Sequence, residues 1–415
     1  MDFRKAVTNY AEQIKACTDY AVENIAKICG EFGPRACGSE SEQKAQEFMA
    51  DALKGYCDEV RRETFEVHPD AFMSFVPIAG GLLLGSTAVN IAAAKTKKSK
   101  LSLLSLPMIG VSVGGLIGEF ALYKQPYDPL FPKKESGNVI AVRKASGETK
   151  RRIIISGHSD SAPEWTYTYK LGSAGVLSVA GYAVAGLAYN VATTLVSLKG
   201  KSQKLKSGMA LGQLAFLPAF ANLFSFTSSK RYVDGANDDL TGCYVANSVL
   251  KFLSDNDIRF ENTEVVVLLT GGEECGLRGA KAFFKNHPEI ADDDVDTIFV
   301  GFDNIRDAEY MGIYNKDMNG LVKNDDHVCK LVQRSAAKCG EDVPLAAIPL
   351  GSTDAAAASQ EGVAAASFVA MDPAPARYYH TRLDTADNLV PETIAKGIEI
   401  ALQTVFDYDE KGLNA

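Results

Sequence analysis

The chain has 415 residues, a formal net charge of −9 and a pI near 5.3, and 46% of its residues are hydrophobic. That length supports a core of its own and more than one unit. The acidic balance argues against a nucleic-acid partner, and none of the eight cysteines forms a C-x-x-C pair, which disfavours a cysteine-rich zinc site.

The first twenty residues lack the apolar core of a secretory signal, so reduced thiols and a cytosolic setting are the simpler expectation. Residues 3–30 read as an amphipathic helix and Gln43 to Leu53 as a second, with a turn at Gly33–Pro34 between them. Asp58 to Val67 alternates as a strand does. Two long charge-free stretches follow, Ala71 to Ala94 and Leu101 to Gly118, joined by Lys95, Lys97, Lys98 and Lys100. Asn138 to Arg143 and Arg152 to Ser156 are short β-rich runs that read as a hairpin or as adjacent strands. A second charge-free pair, Leu171 to Leu198 and Ser207 to Ser229, is joined by Lys199, Lys201, Lys204 and Lys206.

Each charge-free stretch is near or above the roughly 18–20 residues that cross a bilayer as a helix, and each pair reads as a helical hairpin. Frequent small residues such as Gly80, Gly81, Gly85, Gly181 and Gly186 suit close packing in lipid. Membrane insertion as a multi-pass anchor is the expectation; a buried soluble cover over the rest of the chain is the alternative. The lysine tips favour a cytoplasmic location for themselves. The missing signal and the cysteine pattern favour the cytoplasm for the remainder instead.

The remaining chain continues as helices at Thr241 to Leu253, Gly279 to Asn286, His327 to Cys339 and Pro391 to Tyr408. Between them, Glu264 to Leu269, Asp296 to Phe302, a short run near Ala346–Pro349 and Ala364 to Ala370 read as strands, the first two apolar enough to be buried on both faces. The predicted fold is α/β: a three-layer α/β/α sandwich around a mixed, mostly parallel sheet. Residues 1–70, 126–170 and 230–415 would form it, with hairpins inserted at 71–125 and 171–229.

The five histidines include no pair four apart, which excludes a helical H-E-x-x-H site. Acidic and imidazole groups gather instead where strands end: His158-Ser159-Asp160, Gly271-Gly272-Glu273-Glu274 and Asp303-Asn304. Asp238 and His380 lie in loops. Open α/β sheets bind ligands outside the carboxyl ends of their strands.

HSD at 158–160, GANDDLTG at 235–242, GGEECGLRGA at 271–280, FDN at 302–304, GSTDA at 351–355 and YYHTRLDT at 378–385 together resemble the di-zinc aminopeptidase family. That family also includes glutamate carboxypeptidase and the transferrin receptor ectodomain. The opening GPRACGSESE resembles it as well; the two hairpins do not belong to it. The resemblance implies that His158, Asp238 and Asp303 hold one zinc, and Glu274, His380 and the shared Asp238 the other. It implies Glu273 as general base, Asp160 as the carboxylate that orients His158, and a cis peptide after Asp238. Tyr379 is a candidate hydrogen-bond donor to the oxyanion.

These residue types suit the chemistry. Imidazole and carboxylate ligate zinc, and also cobalt or manganese. A shared carboxylate holds two ions at the spacing used in two-metal hydrolysis. The implied activity is an aminopeptidase acting on small peptides. A carboxypeptidase or dipeptidase on the same fold and a non-catalytic binding or receptor module stay open. Asp354, Asp384 and Asp387 also match positions of that family but read as caps of turns and helices, Cys275 as a buried bystander, and His68, His287 and His327 as structural or surface groups.

Overall fold

A computed structural model describes residues 2–292 and 294–414. In chain order, its first half contains α1 (Tyr10–Glu31), α2 (Glu40–Leu53), β1 (Glu59–Val67), α3 (Phe75–Thr96), α4 (Ser105–Gly115), β2 (Lys134–Arg143), β3 (Arg151–His158), β4 (Pro163–Trp165) and α5 (Thr166–Lys199). Next come α6 (Gln203–Gly212), α7 (Leu217–Asn222), β5 (Thr227–Tyr232), α8 (Thr241–Asp255), β6 (Thr263–Thr270), α9 (Arg278–Asn286) and α10 (Glu289–Asp292). The last part holds β7 (Asp296–Ile305), β8 (Met311–Asp317), β9 (Val322–Lys323), α11 (Asp326–Lys338), β10 (Leu345–Ala347), α12 (Asp354–Gln360), β11 (Ala364–Ala370) and α13 (Pro391–Lys411). The chain divides into two compact units, one made of residues 1–69, 133–162 and 232–415, the other of 70–132 and 163–231.

The first unit is the predicted sandwich. Its sheet runs β1-β2-β6-β3-β7-β11-β8-β10, with β9 paired to β8. The four central strands β6, β3, β7 and β11 are parallel, and β1, β2 and β8 join antiparallel. Alternation along the strands decides what each face meets. Ile153 and Ile155 of β3, with Val265 and Val267 of β6, enter the core shared with α1, α2, α8, α11 and α13. The intervening positions face the other layer, where Phe284 of α9 meets Phe299 of β7 edge-on at 5.8 Å. Each such apolar side chain, fully buried, contributes ~1.5–3 kcal/mol.

One strand expectation is corrected. The runs that became β2 and β3 are neither a hairpin nor neighbours, because β6 lies between them. Val265 to Leu269 of this run is apolar at every position, so it takes the central slot and displaces the local pairing. β8 and α12 went unread in the sequence.

The second unit consists of α3 to α7 with the short β4–β5 pair. Helical segments Phe72–Thr96, Ser99–Ala121, Thr166–Lys199 and Gln203–Ser225 are each long and apolar enough to cross a membrane. Its interior is polar in a regular way. Ser86 Oγ donates to Asn190 Oδ1 (2.7 Å), Asn190 Nδ2 to Thr87 Oγ1 (3.1 Å) and Asn90 Nδ2 to Thr194 Oγ1 (2.9 Å). Partners one turn apart on each helix set α3 and α5 parallel, in a single register.

At the start of α2, Ser39 Oγ accepts from the Glu42 N–H, a helix cap readable from the S-x-x-E spacing. The Glu42 carboxyl turns back to accept from the Gly38 N–H (2.7 Å) and Ser136 Oγ (2.8 Å) and is fully buried. Burial, and then repulsion from Asp160, pushes it up to about 8. A carboxyl whose folded value exceeds its unfolded one favours the fold at low pH and loses that contribution as pH rises. Unfolding free energy should therefore fall between about pH 5 and 8. Glu42→Gln should flatten that slope by a few kcal/mol in all, at roughly 1.4 kcal/mol per unit, in urea titrations across pH.

Candidate active site

The carboxyl ends of the central strands bring the acidic and imidazole groups together. His158 closes β3, Glu273 and Glu274 follow β6 after two glycines, and Asp303 stands near the end of β7. Asp238 precedes α8, and His380 lies in the loop after β11. Two glycines permit this crowding. Gly272 turns the chain at φ +62°, and a side chain on Gly242 would meet the Phe302 carbonyl at 2.0 Å.

Asp238 is the centre of the cluster. Its Oδ1 lies 3.0 Å from His158 Nε2 and its Oδ2 3.0 Å from His380 Nε2. Glu274 Oε1 lies 3.1 Å from the same His380 nitrogen. Neither Asp238 Oδ2 nor Glu274 Oε1 is hydrogen-bonded, although both are buried. Donor atoms of His158, Asp238 and Glu274 all lie within 4.8 Å of one another, as do those of His158, Asp239 and Asp303. Glu273 Oε2 stands 3.9 Å from His158 Nε2. The Tyr379 ring stacks on His380 with centroids 3.8 Å apart. Of the candidate site residues, His158, Asp238, Glu273, Glu274, Asp303, Tyr379 and His380 are thus brought together. The Asp238–Asp239 peptide is cis, as the resemblance implies.

Three buried aspartates, none offered as a ligand by the resemblance, hold the loops in place. Asp160 accepts from the Glu273 N–H (3.0 Å) and the Glu274 N–H (3.2 Å), and its Oδ1 lies 3.5 Å from His158 Nδ1. The last distance is long for a hydrogen bond, so Asp160 orients the imidazole electrostatically while it binds the β6 loop directly. Asp239 accepts from the His158 N–H (3.0 Å), the Gly242 N–H (2.9 Å) and the Asn304 N–H (3.1 Å). Asp384 accepts from the Asn237 N–H (2.7 Å) and side-chain amide (2.8 Å), and from the Asp238 N–H (3.1 Å). Asp384 is therefore no turn cap; Thr385 takes the N-cap position of the turn that follows. Its sequence signal was its place four residues after His380, and that of Asp239 its adjacency to Asp238. Asp354, also read as a cap, is buried and accepts from Thr270 Oγ1.

The electrostatics follow from this crowding. Burial pushes the Asp238 carboxyl up, but His158 and His380 outweigh it and hold the group well below the usual range. Burial likewise opposes the charged His380, yet Glu274 and Asp238 raise it to about 10. Glu273 is raised well above its ordinary value by burial, with further repulsion from Asp354 and Glu274. Burial, then repulsion from Asp238, lifts Asp303 to about 7. A cavity of about 10 Å3, room for one water, is lined by His158, Asp239, Glu273, Asp303 and Asp354.

This donor set fits divalent metal ions. Nitrogen and oxygen donors converge, two buried carboxylate oxygens lack hydrogen bonds, and the charge of the cluster calls for cations. Asp239→Ala would leave three buried backbone N–H groups without an acceptor, beside both His158 and Asp303. Calorimetric titration with a divalent metal should show affinity falling ~10–100-fold in Asp239→Ala and in Asp384→Ala. The exposed Asp387→Ala should bind as the parent does.

Comparison with known proteins agrees with this picture. Residues 223–405 match the family model for Peptidase family M28. A zinc aminopeptidase from Bacillus subtilis superposes with a TM-score of 0.55 at 12% identity, covering 94% of both chains. An aminopeptidase from Aneurinibacillus sp. strain AM-1 gives 0.55 at 16% identity over 95% of each chain. A glutaminyl cyclase from Fimbriiglobus ruber gives 0.55 at 13% identity, covering 94% of this chain and 95% of that one. At such identities the superpositions speak for the fold alone. The match to the Peptidase family M28 model takes in the motifs at 235–242, 271–280, 302–304, 351–355 and 378–385, while that at 158–160 precedes it.

Proposed function

We propose that the protein is a two-zinc exopeptidase, an aminopeptidase that removes N-terminal residues from small peptides. The observation that carries this reading is the pair of Asp238 oxygens, each facing a different imidazole at 3.0 Å. One carboxylate so placed is suited to two ions at once. His158 and Asp303 would complete one ion's ligands, and Glu274 and His380 the other's. When bound, the ions supply Lewis acidity, polarising the scissile carbonyl and acidifying water.

The chain's own groups supply the rest. Glu273 is held by its backbone N–H on Asp160, and its carboxyl carries a raised proton affinity from burial. It is the general base that takes a proton from water and delivers it to the leaving amine. Tyr379 is kept protonated by burial and nearby carboxylates, so its hydroxyl can donate to the developing oxyanion. The carboxyl groups of Asp160, Asp238, Asp239, Glu273, Glu274, Asp303, Asp354 and Asp384 outnumber the two imidazoles. That balance favours cations at the site, the two metal ions first.

The second unit is read as a membrane anchor. Among the described residues, 21 large hydrophobic side chains stand exposed and 16 of them belong to it, while its Ser, Thr and Asn groups pair inside. Apolar outside and hydrogen-bonded inside is the arrangement lipid favours.

The test is a panel of unblocked aminoacyl, N-acetylated and N-terminal glutaminyl substrates, run with added zinc, with chelator and with Glu273→Gln. Chelator-sensitive release from unblocked substrates is expected, with kcat in Glu273→Gln reduced by roughly 100-fold or more. Cleavage of blocked substrates would make it a carboxypeptidase. Cyclisation of N-terminal glutamine without hydrolysis would replace the peptidase reading with a cyclase.

A further inference from the structure

The eight lysines of the hairpin tips come together in space. Ser102 Oγ in the first tip donates to Ser197 Oγ beside the second (2.7 Å), and Gln203 Nε2 donates to the Ala94 carbonyl (2.8 Å). Lys206 Nζ donates to Ser99 Oγ (2.6 Å). These three bonds fasten one tip to the other. Lys95, Lys97, Lys98, Lys100, Lys199, Lys201 and Lys204 are all exposed, and no ion pair with another described residue engages them. No acidic residue occurs in residues 95–100 or 199–206. The acidic residues of the unit, Asp70, Glu119, Asp128 and Glu164, all lie toward the ends where the chain enters and leaves it.

Just below this cationic cap the surface turns apolar. Leu103 and Leu104 are 50% and 57% exposed, and Leu205, set between Lys204 and Lys206, is 52% exposed. Like charges crowded this closely repel one another unless anions lie between them. A nucleic-acid or acidic-protein partner would leave the ring of leucines in water. A lipid leaflet satisfies both at once: acyl chains cover the leucines while lysine stems extend to the headgroup plane.

Resting on the membrane reading of this unit, we propose that the joined tips form one binding site for anionic phospholipid headgroups. The ligand class is a phosphodiester-bearing lipid of net negative charge, held by ammonium groups from both hairpins. Each exposed lysine adds roughly fivefold to such a preference at moderate ionic strength. The site is a property of the paired hairpins, since neither tip alone gathers more than four lysines.

The experiment uses the full-length protein, purified in detergent, delipidated and titrated with phosphatidylglycerol or phosphatidylcholine. Retained lipid is counted by mass spectrometry of the intact complex, and flotation with neutral or anionic liposomes is run beside it. Retention of phosphatidylglycerol at least tenfold above phosphatidylcholine is expected. Changing all eight lysines to Gln should abolish that preference, and changing them to Arg should keep it. Changing only Lys95, Lys97, Lys98 and Lys100 to Gln should leave an intermediate value. Equal retention of the two lipids, or a preference that survives the Gln changes, overturns the proposal. So does displacement of the lipid by millimolar inorganic phosphate, which would make the cap a site for soluble anions. Flotation with both liposomes but without lipid preference removes only this site. No flotation with either removes the membrane reading as well.

Discussion

The candidate metal site depends on carboxylates that accept hydrogen bonds from the backbone of its neighbours. Asp160, Asp239 and Asp384 bind N–H groups of Glu273, Glu274, His158, Asn304, Asn237 and Asp238. Each sits on one loop of the site and grips another. The four segments that follow β3, precede α8, follow β6 and end β7 are thereby tied together, and the His380 loop is joined to them through Asp384. A charged acceptor bound to two or three N–H groups is among the stronger hydrogen-bonding arrangements. Loops that would otherwise drift are held to a common point, so the donor atoms start close together.

The same concentration of acid is costly without counter-charge. Burial pushes Asp303 up to about 7 and Asp354 to about 6. Asp238 is drawn down instead, because both imidazoles face it. The cluster therefore favours positive charge among its donors, and divalent ions are the chemistry that nitrogen and oxygen donors in this number would take. Glu273 stands apart in function for a structural reason. Its neighbour Glu274 turns toward His380, while its own carboxyl borders the water-sized cavity.

The helical insertion obeys the reverse of the rule that builds the sandwich. In the sandwich, apolar side chains face inward and loops carry the polar groups. In the insertion, leucines and valines stand outward and Ser86, Asn90, Asn190 and Thr194 pair within. The seam joins segments about one hundred residues apart, so two hairpins separate in sequence act as one unit. Fastening them at the lysine tips also concentrates their charge at one end.

Much of this was legible in the sequence. The apolar runs 264–269 and 296–302, the S-x-x-E cap of α2 and the hairpins with their lysine tips follow from local chemistry and periodicity. The order of the acidic and histidine motifs pointed to one site. Three things required the tertiary structure. The separation of β2 from β3 by β6 depends on competition among strands for the central slot, which no local pattern encodes. The roles of Asp239 and Asp384 depend on which backbone N–H groups the folded loops leave without partners. The union of the two lysine tips depends on the α3–α5 register, set by side chains that are indistinguishable, within the sequence, from ordinary polar residues in an apolar helix.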